Sequence, residues 1–384
     1  MKSRYVILHL NFPVASVVFD DKYSILKIEK VYDKERLPIG LYTKQLNVSD
    51  LNEWLFSRAI PQKRTGLKFI LEATNTSSNK ELLIKNLGLG LTDNYWIKPE
   101  KLDLSWEKVN FFENNFSEVV NSVYLKHSSK KDIAIDADKL TPNNASSGML
   151  PKGWICKSNK RYMIKGSELL NYQEPYNEVI ISRWLNGLGV DHVKYKLKLI
   201  EKRPYSICEN MLGKDEELIH ACYVSNLLKR DNKKSYLDHY INCCKELGLD
   251  DSIRRALDNM IIIDYISANI DRHWSNFGII RDSITLRVKR LAPLYDNGAA
   301  LFAKIPTLDI KIENKDLKCQ SFNSKQTGNI KLVTNFDILE NPSIHNLIDI
   351  SAEEFTKNIH MDNKRKNEII FRIKQRIKTA RKIK

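Results

Sequence analysis

The sequence predicts an α+β protein: a β-rich small lobe followed by a helical large lobe, with an additional mixed α/β module at the N-terminus. Three patterns carry this expectation. Short alternating segments separated by turn residues fill 153–212, segments of helical period dominate afterwards, and the first 130 residues mix the two. The expected boundaries are 1–135, 136–211 and 212–384, the first placed in the polar, turn-rich stretch "KHSSKKDIAIDADKLTPNNASS" at 126–147.

With 384 residues, 42% hydrophobic and 28% charged, the chain has the composition of a globular protein long enough for two or three domains. No apolar run approaches eighteen residues and no cleavage site follows the opening segment, so a cytoplasmic protein that does not enter a membrane is expected. The six cysteines form no C-x-x-C pair and no cluster of metal-ligand spacing, and are expected buried and reduced. The net charge of +15 invites a nucleic-acid or acidic partner, but much of it lies in the tail "DNKRKNEIIFRIKQRIKTARKIK". There Ile369, Ile373, Ile377 and Ala380 share one helical face, which predicts a helix docked on the body with a solvated basic side.

Along the chain, "RYVILHL" and "YSILKIEKVY" read as strands with "FDDK" as the turn. The period then shifts toward 3.6 from "SDLNEWLFSRAIP" to "NKELLIKNLGLGL", with Ser49 or Asp50 as a cap and Pro61 as a stop. "GLGL" lacks a third glycine, a preceding strand and a placed lysine, so it is a turn rather than a phosphate loop. The aromatic residues of "LTDNYWIKPEKLDLSWEKVNFF" are expected to pack, not to bind a ligand. Strands "GWICKS" and "RYMIKGS", the helix "YNEVIISRWLNGLG" and strands "VKYKLKLIEKR" and "YSICENML" come next. Helices are then expected over "EELIHACYVSNLLKR", "KSYLDHYINCCKELG" and "DSIRRALDNMIIIDYISANI", with strands at 277–290.

The stretch "NIDRHWSNFGII" ends the most apolar helix, and "LAPLYDNGAALF" comes after a hairpin. The order is Asp271, Asn276, hairpin, Asp296. Phosphoryl transfer uses these groups: one carboxylate orients the attacking hydroxyl, while an amide oxygen and a second carboxylate hold Mg²⁺ on the phosphates. A hairpin brings Asn276 and Asp296 to neighbouring strand ends. Lys165 in a strand and Glu178 in the next helix supply a cation for the nucleotide phosphates and an acid to hold it.

Together the paired motifs resemble those of HipA-like serine/threonine kinases, bacterial toxin-type kinases, clearly over about 140–310. The resemblance implies a bilobal protein-kinase-like fold, ATP and Mg²⁺ as cofactors, and transfer of the γ-phosphate to a protein hydroxyl. It makes Asp271 catalytic, Asn276 and Asp296 metal ligands, and Lys165 the lysine on the nucleotide phosphates, with Glu178 as its partner. "SICENML" implies adenine contacts through the backbone of Glu209 and Met211. "ASSGMLPK" implies a phosphate-covering loop with Ser146, Ser147, Gly148 and Lys152. The serine that HipA phosphorylates on itself aligns with Ala145, so self-regulation through this loop does not carry over directly. A HipB-like antitoxin is an implied partner, with nucleic acid reached only through a partner or the basic tail.

Beside these, His273 is a candidate cofactor contact, although a structural role on the loop backbone is preferred over that of a general base. Asp264 is expected to pair with a basic residue or hold the loop, Arg272 either to neutralise a phosphate or to sit in solvent, and Tyr295, Phe277 and His220 to be core residues. Two other functions stay open: a DNA-associated regulatory binding module on the same fold, and a small-molecule or lipid kinase.

Overall fold

The computed structural model describes residues 3–42, 46–64, 66–118, 140–145, 148, 150–310 and 316–384. The boundary expected at 126–147 falls largely outside them, as do Ser146 and Ser147. The chain forms two compact units. One comprises Met1–Lys165, Glu209–Ile219 and Arg281–Arg287; the other comprises Gly166–Cys208, His220–Ile280 and Val288–Lys384. No helix among the described residues is long and apolar enough to cross a membrane.

The first unit opens with strands β1 (Ser3–His9), β2 (Phe12–Phe19) and β3 (Ile25–Val31), joined later by β4 (Tyr95–Pro99) in an antiparallel sheet of order β3-β2-β1-β4. The sequence pattern does not reveal β2. Its segment "FPVASVVF" is buried almost throughout and therefore shows little alternation. The chain reverses over Leu10 and Asn11, with Leu10 at φ 55°, and "FDDK" turns from β2 to β3. Helix α1 (Val48–Phe56) is capped by Asn47, not by Ser49 or Asp50: Asn47 Oδ1 accepts the Asp50 N–H at 2.8 Å and its amide donates to the Asp50 carboxylate at 2.9 Å. After α2 (Leu67–Ala73) and α3 (Asn79–Lys85), "GLGL" is indeed a turn, with Leu87 and Gly88 at positive φ. Trp96, Trp106 and Phe111 pack with Leu8, Leu89 and Trp154, the last from the strand pair β5 (Lys152–Lys157) and β6 (Lys160–Lys165).

A helix was expected over "EELIHACYVSNLLKR", yet Glu216–His220 is strand β9 and only Ala221–Val224 makes a helical turn. The reason is Glu217, fully buried and bonded by Arg281 Nε at 2.5 Å and His9 Nε2 at 3.1 Å. Arg36 Nη1 lies 3.0 Å from His9 Nδ1, and a guanidinium can only donate, so the His9 proton sits on Nε2 and points at Glu217. Burial alone would raise the Glu217 pKa, but Arg281 and His9 outweigh it and hold the carboxyl at about 2.

The second unit contains α4 (Gln173–Leu188), the hairpin β7 (Tyr195–Ile200) and β8 (Arg203–Glu209), α5 (Tyr236–Glu246), α6 (Ser252–Ile266), the strands β10 (Gly278–Asp282) and β11 (Val288–Leu291), α7 (Asn346–Thr356) and α8 (Asn363–Ile383). The tip of the β10–β11 hairpin and Glu209 count with the first unit. Helix α6 is the spine of the second, buried from Met260 to Ile266. Helix α8 packs on it and on α7, and Ile369, Ile373, Ile377 and Ala380, the face read from the sequence, are buried. Two of the basic residues of α8 turn inward: Arg365 is buried, and Arg376, half-buried, lies over the Tyr265 ring at 4.2 Å with burial pulling its pKa to about 10. All six cysteines are free thiols; Cys156 and Cys222 are half-buried and the other four buried.

Two outcomes are expected. A carboxylate whose folded pKa is depressed stabilises the fold above its unfolded value, near 4.5, and that stabilisation drains away as pH falls toward about 2. Urea unfolding of the wild type should therefore weaken across that window, and Glu217→Gln should flatten the dependence. Chain truncated before Asn363 should unfold at lower denaturant than full-length protein, because the buried stripe of α8 is lost.

Candidate active site

Helix α6 ends four residues before its sequence pattern does, because Ala268 turns to φ 52° and the Asn269 N–H bonds back to the Asp264 carbonyl at 2.9 Å. The next loop closes on its own groups. Asn269 Oδ1 accepts the Asp271 N–H at 3.1 Å, the Asp271 carbonyl accepts the His273 N–H at 2.8 Å and the Asn276 amide at 2.9 Å, and His273 Nδ1 accepts the Ser275 N–H at 3.2 Å. The Asn276 side chain thus spends its NH₂ on the loop and keeps its oxygen as an acceptor. His273 has the structural bond anticipated for it.

Arg272 is neither solvated nor available to a phosphate. It is 1% exposed and makes a fork on Asp264, Nε to Oδ2 at 3.0 Å and Nη2 to Oδ1 at 3.1 Å. The remaining donors reach the carbonyls of Asn276 at 2.9 Å and Tyr295 at 2.5 Å, and Asn297 Oδ1 at 2.5 Å. One guanidinium therefore ties the helix, the Asp271–Asn276 loop and the Asp296 loop together. Burial alone would lower its pKa, but the Asp264 carboxylate outweighs that, Asp296 adds to it, and the charge is held above its ordinary range. Asp264 plays the pairing and loop-holding part expected of it, also accepting the Asn269 amide at 2.8 Å.

Asp296 has φ 59°, in the left-handed region, and its N–H reaches the Tyr195 hydroxyl at 3.4 Å. Helix α4 fixes the residues just beyond Asp296. Glu178 accepts the Asn297 N–H at 2.8 Å, Asn177 donates to the carbonyls of Gly298 at 2.8 Å and Ala300 at 2.7 Å, and Gln173 donates to that of Leu301 at 2.7 Å. Gly298 lies close against α4, where a Cβ would stand 3.4 Å from the Glu174 Cβ and 3.7 Å from its carbonyl, ordinary van der Waals contact. Arg365 extends the clasp, giving Nη2 to the Phe302 carbonyl at 2.7 Å, Nη1 to that of Ile305 at 2.9 Å and Nε to Gln173 at 3.0 Å.

The Asp271 carboxylate takes Lys304 Nζ on Oδ2 at 3.1 Å and Gln320 Nε2 on Oδ1 at 3.3 Å. Phe277 is buried in an aromatic cluster with Trp274, Tyr240 and Phe322; Tyr295, half-buried, hydrogen-bonds His220 at 3.3 Å. The Asn276 amide oxygen and the Asp296 carboxylate are hard donors of the kind that suits Mg²⁺, which takes most of its shell from water and phosphate oxygens. Among the described residues no group of three or more His, Cys, Asp or Glu is placed for a metal.

The remaining sequence candidates belong to the first unit. Lys165 is buried at the end of β6. Asn143 pins the base of the loop before β5, accepting the Trp154 N–H at 2.6 Å. Gly148 has φ 90°, a backbone conformation that L side chains rarely adopt, so the position favours glycine. Glu209 pairs with Lys160 at 2.9 Å on the surface, and Met211 is half-buried just beyond it.

Sequence reading missed Gln173, Asn177, Asn269, Asn297 and Arg365. For α4 a signal existed: Gln173, Glu174, Asn177 and Glu178 form a polar face at helical spacing on an apolar helix, and all four are buried. Removing the Arg272 charge should be costly. Arg272→Met is expected to lose about 3–5 kcal/mol in urea unfolding, and Asp264→Leu/Arg272→Met to lose less than the sum of its single variants.

No family model and no curated protein matches the chain. Among solved structures, the complex of HipA, HipB and operator DNA from Shewanella oneidensis MR-1 is similar over 98% of this chain and 97% of that one, at 11% identity and TM-score 0.54. The Helicobacter pylori proinflammatory kinase CtkA is similar over 60% of this chain and 93% of its own, at 17% identity and TM-score 0.48. The likeness to the Shewanella protein, which spans nearly the whole of both chains, is one of fold, and it agrees with the α+β class read from the sequence: the chain has the fold of that HipA protein.

Proposed function

We propose that the protein is a HipA-like serine/threonine protein kinase, transferring the ATP γ-phosphate to a protein hydroxyl. The observation that carries this reading is the joint locking of the Asp271–Asn276 loop and the Asp296 loop by Arg272, on a fold of this class. Asp271 orients the acceptor hydroxyl and receives its proton. Asn276 and Asp296 would hold Mg²⁺, which neutralises charge on the β- and γ-phosphate oxygens when bound. Lys165 would contact the nucleotide phosphates, Gly148 and Lys152 would cover them with Ser146 and Ser147, and the backbone at Glu209 and Met211 would meet the adenine. Glu178 acts on the Asp296 loop through Asn297, besides its proposed role beside Lys165.

A HipB-like partner fits the same reading. Nucleic acid would be reached through such a partner or the exposed side of α8, and the chain would then work in the cytoplasm as part of a toxin–antitoxin pair.

Purified protein given γ-labelled ATP and a protein mixture should label protein. Asp271→Ala and Asp296→Ala should each reduce transfer to background while circular dichroism stays that of the wild type. Full activity in both variants would remove the assignment; label found only on small molecules would favour a small-molecule kinase.

A further inference from the structure

The Asp271 carboxylate is gripped by two segments that its own loop does not contain. Lys304 lies beyond the Asp296 loop, and Gln320 stands in the turn closed by the Lys318–Lys325 bridge, whose Ser321 carbonyl accepts Trp274 Nε1 at 3.2 Å. Each donor takes a different oxygen, at 3.1 Å and 3.3 Å. A carboxylate offers about four lone-pair directions, so positions stay open for an incoming hydroxyl while the group is held in orientation.

Stability does not account for Lys304. Its side chain is 51% exposed and that of Asp271 29%, and a pair so wet contributes at most about 1 kcal/mol. Yet the backbone that carries it is unusually well fixed. The Leu301 N–H bonds the Ser267 carbonyl at 2.6 Å, and Arg365 holds the carbonyls on both sides of Lys304, Ala303 at 3.3 Å and Ile305 at 2.9 Å. Leu301, Phe302 and Ala303 are buried, and Lys304 alone turns outward onto the carboxylate.

We infer that Lys304 is a second cation of the transfer reaction, holding Asp271 and meeting the phosphoryl group as it passes, with Gln320 as a positioning residue on the other oxygen. This rests on the kinase reading. In the step, the acceptor O–H breaks and its proton goes to Asp271, the acceptor oxygen bonds to the γ-phosphorus, and the bond from that phosphorus to the β-γ bridging oxygen breaks, leaving its electron pair on ADP. Lys304 exchanges no proton. With the attacking oxygen on the same carboxylate, the ammonium donors of Lys304 that bond no other described residue would stand within reach of the equatorial phosphoryl oxygens, where charge is spread in the transition state.

The test uses full-length protein, γ-labelled ATP, Mg²⁺ and the protein mixture, with Mg-ATP affinity measured separately by calorimetry. Lys304→Met is expected to lower the transfer rate at saturating ATP by about 10²-fold, with Kd for Mg-ATP and Tm unchanged, and Lys304→Arg to regain part of the rate. Gln320→Leu should show a smaller loss of the same kind. A Lys304→Met protein as fast as wild type, or faster, overturns the inference, the faster case marking the contact as a brake. If Asp271→Ala is inactive and Lys304→Met is fully active, only the role of Lys304 falls. Should Asp271→Ala keep full transfer, or wild type transfer nothing, the kinase reading falls and takes this role with it.

Discussion

A buried guanidinium decides where the site is. Arg272 sits out of water with its charge intact, which is tolerable only when its donors are matched. The matching partners come from three places in the chain: a carboxylate on α6, the carbonyl of Asn276, and a carbonyl and an amide beside Asp296. None can leave without stranding part of the charge. The two loops that carry the oxygen-bearing side chains are therefore coupled, and their relative placement is set by the demands of one residue.

That coupling also supports backbone that would not hold itself. Asp296, Leu301 and Phe302 all have positive φ without being glycine, each at a cost of about 1–2 kcal/mol. The compensation is visible in the bonds to their neighbours: Glu178 on Asn297, Asn177 on Gly298 and Ala300, Gln173 on Leu301, Arg365 on Phe302. A side-chain scaffold on two helices replaces the hydrogen bonding that regular structure would supply.

What could be read from the sequence was what is local. The order Asp271, Asn276, Asp296 around a hairpin is a matter of spacing, and the buried stripe of α8 is a matter of period. Both appear in one dimension. Arg272 looks like any basic residue on a loop, because its burial depends on Asp264, Tyr295 and Asn297, and only the last two are brought near by the hairpin. The strand β9 is misread for the same reason. Its Glu217 suggests an exposed helix face until Arg281 and His9, far away in sequence, make a buried carboxylate acceptable. Asn47 as the cap of α1 is a smaller error, two positions outside the stretch considered. Nonlocal charge pairing limits the reading more than helix or strand propensity does.

Arg365 lies at the start of α8 and grips carbonyls made much earlier in translation. A nascent chain thus has the loops of the site before it has the residue that steadies Phe302 to Ile305. The scaffold around these loops is therefore completed by one of the last segments to be synthesised.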